Sequence, residues 1–262
     1  MIIWFLTIGT TGLLEILRSP RILSGLDPRH AWNFFEDNHF HGIVVLGSVV
    51  LCITGGEALY ADLGHFGRRA IKWSWLGLAF PALLLNYFGQ CALLLSNPGA
   101  NLNPFYGLVP IGLLYPMVAL ATLATVIASQ ALISGAFSLT QQAIQLGFSP
   151  RILIVHTSAE VKGQIYIPAV NYALMIACLL LVLSFGESGR LAGAYGLAVT
   201  ATMGLTSGLY LVAAIYVWRW PMWKALPPVG LFVLFDVSFF GANVLKIFDG
   251  GWITLVVAVA IT

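Results

Sequence analysis

Acidic residues buried in apolar sequence are the natural place to look for chemistry in this chain, and the stretch Cys52–Arg69, C-I-T-G-G-E-A-L-Y-A-D-L-G-H-F-G-R-R, holds the most informative of them. A carboxylate at the centre of a bilayer costs roughly 2.5 to 3.5 kcal/mol on insertion scales, so Glu57 needs a partner, a water-filled cavity or a proton. Gly55-Gly56 stands directly before it, and glycine is about 1 kcal/mol per residue worse than alanine in a helix. The pattern predicts a helix broken near 54–57. A break there leaves residues 42–53 and 57–66 as half-helices of roughly 18 and 15 Å at 1.5 Å per residue. Together they cross a hydrocarbon core about 30 Å thick, with the break and Glu57 near midplane. Carbonyls freed by such a break can face a cation where they line a protein cavity. The same residues also fit a second reading, in which the glycine pair allows close helix packing and Glu57 snorkels to one surface.

The setting of this stretch follows from composition. Of 262 residues, 59% are hydrophobic and 8% charged, and mean hydropathy is +0.91. Soluble proteins carry about 25% charged residues, so this is an all-α integral membrane protein, built as a helical bundle. A net charge of +2 without a basic run argues against nucleic acid as a partner. Cys52, Cys91 and Cys178 stand apart in apolar surroundings, which predicts buried packing rather than a disulfide or a metal site.

Apolar runs fall at about 1–17, 42–66, 73–95, 107–139, 165–185, 191–217, 228–247 and 252–262. They form a single transmembrane domain. The chain opens straight into I-I-W-F-L without a basic preface, and its last apolar run supplies eleven residues against the ~20 a span needs, so the sequence reads as a fragment cut within a span at each end. Residues 18–41 contain Pro20, Pro28 and three histidines and are expected as a surface loop with a short interfacial turn around W-N-F-F. His39 and His41 could chelate a metal, but without a third ligand nearby they read as solvent-facing. With the loop at 67–72 inside, seven Lys and Arg fall on the cytoplasmic side and five outside. That direction follows the positive-inside rule.

Other polar residues fall within the runs. Asn86, Tyr87, Gly89 and Gln90 need partners among neighbouring helices. Ala121, Thr125 and Ser129 recur at four-residue steps, a face for close helix contact that could also offer hydroxyl oxygens to an ion. The sixth run carries Thr200, Thr202, Thr206 and Ser207 and reads as internal to a bundle. Asp236, in F-D-V-S-F-F, is a second carboxylate inside an apolar span and a second functional candidate on the same energetic ground as Glu57.

T-G-G-E-A-L-Y-A-D-L-G-H-F-G, with L-N-Y-F-G-Q, I-A-S-Q-A-L-I-S-G-A-F-S-L, P-R-I-L-I-V-H-T-S, G-Q-I-Y-I-P and A-Y-G-L-A-V-T, resembles the KUP/HAK/KT potassium-uptake family. The resemblance covers nearly the whole chain, is densest from Thr54 to Thr200 and weakens after Trp218. It implies a leucine-transporter-like inverted-repeat fold of twelve spans with a cytoplasmic carboxyl-terminal domain, importing K+ together with H+ across a plasma membrane, most simply the bacterial inner membrane. In that frame run one is similar to the fifth span and Gly42–Phe66 to the sixth. The first four spans, with the G-D-x-G-T-S-P-L-Y motif, and the soluble tail are then missing. Glu57 and Asp236 match carboxylates on which the family relies.

The resemblance places ion binding or proton coupling at Thr54, Gly55, Gly56, Glu57 and Tyr60, with K+ held at Glu57 and Thr54. Asp62, Asp236 and Ser129 are candidates for tuning or gating. No cofactor is expected beyond the transported K+ and H+, and partners are the lipid bilayer and, for the full-length protein, a homodimer mate. Two other readings stand beside this one: a proton- or sodium-coupled carrier of organic solutes on the same architecture, and a membrane remnant that does not transport. An enzyme is not expected, because the sequence has no H-E-x-x-H, nucleophile elbow or phosphate-cradling loop.

Overall fold

Helix α1 (Ile2–Arg18) opens the chain, followed by a 3-10 segment, Pro20–Leu26, bent 101° from it. The structure, a computed structural model, describes residues 1–52, 54, 67–98, 103–156 and 165–261. Helix α2 is Pro28–Cys52, α3 Arg68–Ser96, α4 Pro104–Gly107, α5 Leu114–Gln145, α6 Pro168–Phe185, α7 Ser188–Tyr216, α8 Met222–Val244 and α9 Trp252–Ile261. Strands β1 (Val155–His156) and β2 (Ile165–Tyr166) form one short antiparallel pair, and the rest of the described chain is mostly helical. Among the described residues, five helices are long and apolar enough to cross a membrane, or six if α1 and its bent continuation are taken as one span.

The region from residue 18 to 41 differs from the expected loop. Proline is well placed at the start of both helical segments, where its missing N–H would lack a partner anyway. The stretch from Arg29 to Asn38 holds neither glycine nor proline, and α2 runs through it, with Asn38 Nδ2 donating to Phe34 O at 2.9 Å. The irregularity falls at His39 instead, whose φ of 41° and ψ of −114° kink the helix. In α3 a π-helical turn, Trp75–Ala79, precedes Pro81. The widened turn accommodates a residue that cannot donate to the helix ladder and whose ring crowds the preceding carbonyl.

The chain divides into two compact units. One comprises residues 1–28 and the described part of 55–173, and its centre is the pairing of α1 with α3. Ile8, Ala82 and Met117 form its buried cluster, with Ile16, Ile22 and Ala92 forming a second. Close approach depends on Gly12 and Gly89: a Cβ on Gly12 would overlap Leu85 O, and one on Gly89 would lie 2.7 Å from Gly12 O. Asn86, buried beside them, donates through Nδ2 to Ile8 O at 3.2 Å and accepts from Gln90 Nε2 at 2.7 Å. Small residues and satisfied amides are what hold helices together where lipid removes the usual hydrophobic drive.

The second unit comprises the described part of residues 29–54 and 174–262, and its main contact joins α7 to α8. Buried positions on α7 recur at Gly193, Thr200, Ser207 and Ala214, and on α8 at Val229, Asp236 and Asn243. Both series step by seven residues, the repeat that keeps one face of each helix on its partner along its length. Thr254 on α9 adds a hydrogen bond of 2.8 Å to Ala194 O on α7.

The cysteines correct an expectation. Cys52, Cys91 and Cys178 form no disulfide and are exposed on the surface of the chain rather than packed inside it. A spanning helix is apolar on its outer face as well, so apolar sequence neighbours do not imply burial.

Candidate functional site

The described site is the buried polar seam of α7 and α8. Asp236 is 7% exposed and lies in the body of α8, and Ser207 Oγ, from α7, donates to its Oδ2 at 2.5 Å. Among the described residues no ion pair involves this carboxylate. A carboxylate in such surroundings needs a donor, because an unpartnered polar group in a low-dielectric interior costs several times what an exposed one does. Ser207 supplies it.

Two turns along α8, Asn243 is fully buried, with Nδ2 donating to Phe239 O at 3.0 Å. Its Oδ1 has no hydrogen-bond partner among the described residues. That oxygen sits against Gly196 of α7, where a Cβ would overlap it, and near Gly47 of α2, where a Cβ would lie 3.4 Å from it and 3.2 Å from Ala242 O. Lys246 Nζ, just beyond α8, donates to Ser48 Oγ at 2.8 Å. Three helices of this unit thus converge on one amide, with glycine on both neighbours making the room.

The residues singled out in the sequence are distributed as follows. Gly55, Gly56, Glu57, Tyr60 and Asp62 lie outside the described residues, as does the helix break near 54–57. Thr54 is half-buried, and its Oγ1 donates to Leu51 O at 3.0 Å. Ser129 belongs to the first unit, is exposed on α5, and donates to Val126 O at 2.8 Å. Its neighbour Thr125 likewise turns back to its own helix, to Ala121 O at 2.9 Å. Thr54 and Asp236 share the second unit, and Asp236 meets Ser207 there. His39 sits at the α2 kink, and no three His, Cys, Asp or Glu side chains among the described residues are placed to hold a metal ion.

Sequence reasoning missed two polar groups. Glu15 of α1 is 9% exposed and pairs with Arg18 at 3.2 Å across one turn. The signal was present, since Glu15 is an acidic residue in an apolar run with a cation three positions on. Asn243 carried a weaker signal, its seven-residue spacing from Asp236.

Long apolar helices, small-residue contacts and a carboxylate buried between two of the spans define a multi-pass integral membrane protein with an intramembrane polar site. The chain belongs to the K+ potassium transporter integral membrane domain family, whose model matches residues 1–262. Its relatives include Probable potassium transport system protein Kup 2 of Syntrophobacter fumaroxidans, 66% identical over 98% of this chain and 40% of the relative. Kup 1 of the same organism is 61% identical over 100% of this chain and 40% of the relative. A third, Probable potassium transport system protein Kup of Anaeromyxobacter sp. (strain K), is 58% identical over 98% and 38% respectively. The chain therefore spans about 40% of the length of these curated relatives. No solved structure matches it.

Proposed function

We propose that these residues form part of a potassium importer of the bacterial inner membrane that moves K+ together with H+. The observation that carries the reading is the match of the K+ transporter family model to the whole chain, and the names of the relatives point the same way. The buried carboxylate of Asp236 adds physical support, because intramembrane acids belong to ion and proton pathways.

In this reading the ion site is built by Thr54, Gly55, Gly56, Glu57 and Tyr60. Carbonyl and carboxylate oxygens suit a hard cation such as K+ and replace part of its hydration shell. A carboxyl there can hold a cation or a proton, which links the two occupancies through one group. One positive charge moving inward gains about 2.3 kcal/mol per 100 mV of membrane potential, and a co-transported proton adds to that drive. Asp236, Asp62 and Ser129 tune or gate the cycle. The inverted-repeat architecture and a homodimer of the complete protein belong to the same proposal, as does transport in place of catalysis.

The test is uptake of 86Rb+ by cells lacking other potassium importers, with these 262 residues carried in a chain of the relatives' full length. Competition by K+ and Rb+ but not by Na+ or amino acids is the expected result. Competition by an organic solute would favour the carrier reading. The share of the relatives covered, 40%, supports a second statement: the 262 residues alone do not conduct. Rubidium flux through liposomes holding only this chain would overturn it.

A further inference from the structure

We propose that Ser207 is a positioning residue that lets Asp236 gain and lose a proton inside the α7–α8 seam while keeping a hydrogen-bond partner in both states. The transport part of its test rests on the reading that Asp236 serves ion uptake.

The geometry singles Ser207 out. The three threonines of α7 turn back to their own helix: Thr200 to Gly196 O at 2.8 Å, Thr202 to Ala198 O at 2.9 Å and Thr206 to Thr202 O at 2.8 Å. Such a bond satisfies the hydroxyl locally and makes no demand on a neighbour. Ser207 instead crosses to α8 and donates to Asp236 Oδ2 at 2.5 Å, with both side chains buried. Its position in the seven-residue series of α7, opposite that of Asp236 in the series of α8, puts the pair in the seam itself.

A serine hydroxyl can donate one hydrogen and accept two, which no hydrocarbon side chain and no ammonium can do. When Asp236 is ionised, the Ser207 O–H donates to the carboxylate. When the carboxylate takes a proton from a hydronium ion, which leaves as water, the new carboxyl O–H donates to Ser207 Oγ, and the serine hydrogen turns to a carbonyl of its own helix, as the threonines of α7 already do. Release of the proton to water reverses both movements. One proton is exchanged, every O–H of the pair has an acceptor in both states, and neither state strands a buried donor.

Among the described residues, the other titratable groups of the two helices are engaged elsewhere or lie along the helix from the pair. On α7, Tyr210 lies one turn from Ser207 and is engaged by the rings of Trp218 and Phe232, while Arg190, Tyr195 and Tyr216 are at least two turns away. On α8, Lys224 lies over the Trp220 ring near the start of the helix, and Lys246, beyond its other end, is bonded to Ser48 of α2.

The experiment uses the full-length chain with Ser207→Ala, Ser207→Thr and Asp236→Asn, and two readouts. The first is 86Rb+ uptake as a function of external pH. The second is the infrared carboxyl stretch of purified protein across the same pH range, assigned to Asp236 by its loss in Asp236→Asn. Ser207→Ala is expected to move both midpoints by at least about half a pH unit, the scale set by the unequal strength of hydrogen bonds to charged and neutral partners. Ser207→Thr, which keeps the hydroxyl, restores the wild-type midpoints. Unmoved midpoints in Ser207→Ala would overturn the proposal, and so would a carboxyl band that never titrates in the wild type. If Ser207→Ala does not fold, the nearly isosteric Ser207→Cys, a weak donor, must show the same shift for the proposal to stand. If the wild type takes up no rubidium, the transport reading fails, and the infrared titration still decides the role of Ser207.

Discussion

Asn243 of α8 and Gly196 of α7 fit each other to the atom: the amide oxygen occupies the space where any side chain at 196 would begin. The contact buries an oxygen without a hydrogen-bond partner among the described residues, so its favourable part is close packing, gained only if both residues keep their size.

Gly196→Ala is therefore expected to lower the melting temperature of detergent-solubilised protein, corresponding to a loss of ~1–3 kcal/mol from overpacking. Asn243→Ala in the same chain should recover part of that loss, because it removes the overlapping oxygen. Additive losses in the double variant would show that the two residues do not act on each other.

In the other unit, Gly89→Ala should separate α1 from α3, since the added carbon would lie 2.7 Å from Gly12 O and cannot be relieved by turning a side chain. We expect a loss of ~1–3 kcal/mol. Protease accessibility of the two helices in detergent measures the separation, and wild-type resistance would show that the backbones can part without cost.

Asp236→Asn keeps the shape of the side chain and an oxygen for the Ser207 hydroxyl, so folding is expected to survive while uptake kinetics change. Asp236→Leu removes the acceptor, and it should also fold, because Ser207 can then donate to a carbonyl of its own helix as the α7 threonines do. Wild-type rubidium kinetics in both variants would exclude a part for Asp236 in transport.

Glu57→Gln removes the group through which cation and proton occupancy are linked in the proposed site. Uptake by the full-length chain is expected to fall at least tenfold, a change of about 1.4 kcal/mol, and to lose its pH dependence. Uptake that keeps both its rate and its pH profile would take Glu57 out of the mechanism.

The class of the protein was legible early, because a chain with 8% charged residues cannot fold with a polar exterior. Asp236 was legible too, since an acid in an apolar span stands out by type alone. Its partner was not. Ser207 was one of four hydroxyl residues noted on the sixth run, and nothing in their spacing says which one leaves its own helix. The exposed cysteines and the helix through residues 29–38 show the same limit. Local composition reports what a residue is next to in sequence, whereas exposure and helix continuity depend on what packs beside it.

Sequence alone thus determined the membrane class, the family motifs and the acidic residues that an apolar span must accommodate, because each depends on residue type or on a contiguous string. Tertiary structure decided which faces meet: Gly12 with Gly89, Ser207 with Asp236, Asn243 with Gly196. The physical reason is the solvent. In water the buried side of a helix is marked by its apolar stripe, but in lipid every side is apolar, so the buried side is chosen by shape and by a few polar contacts that appear only once two helices are side by side.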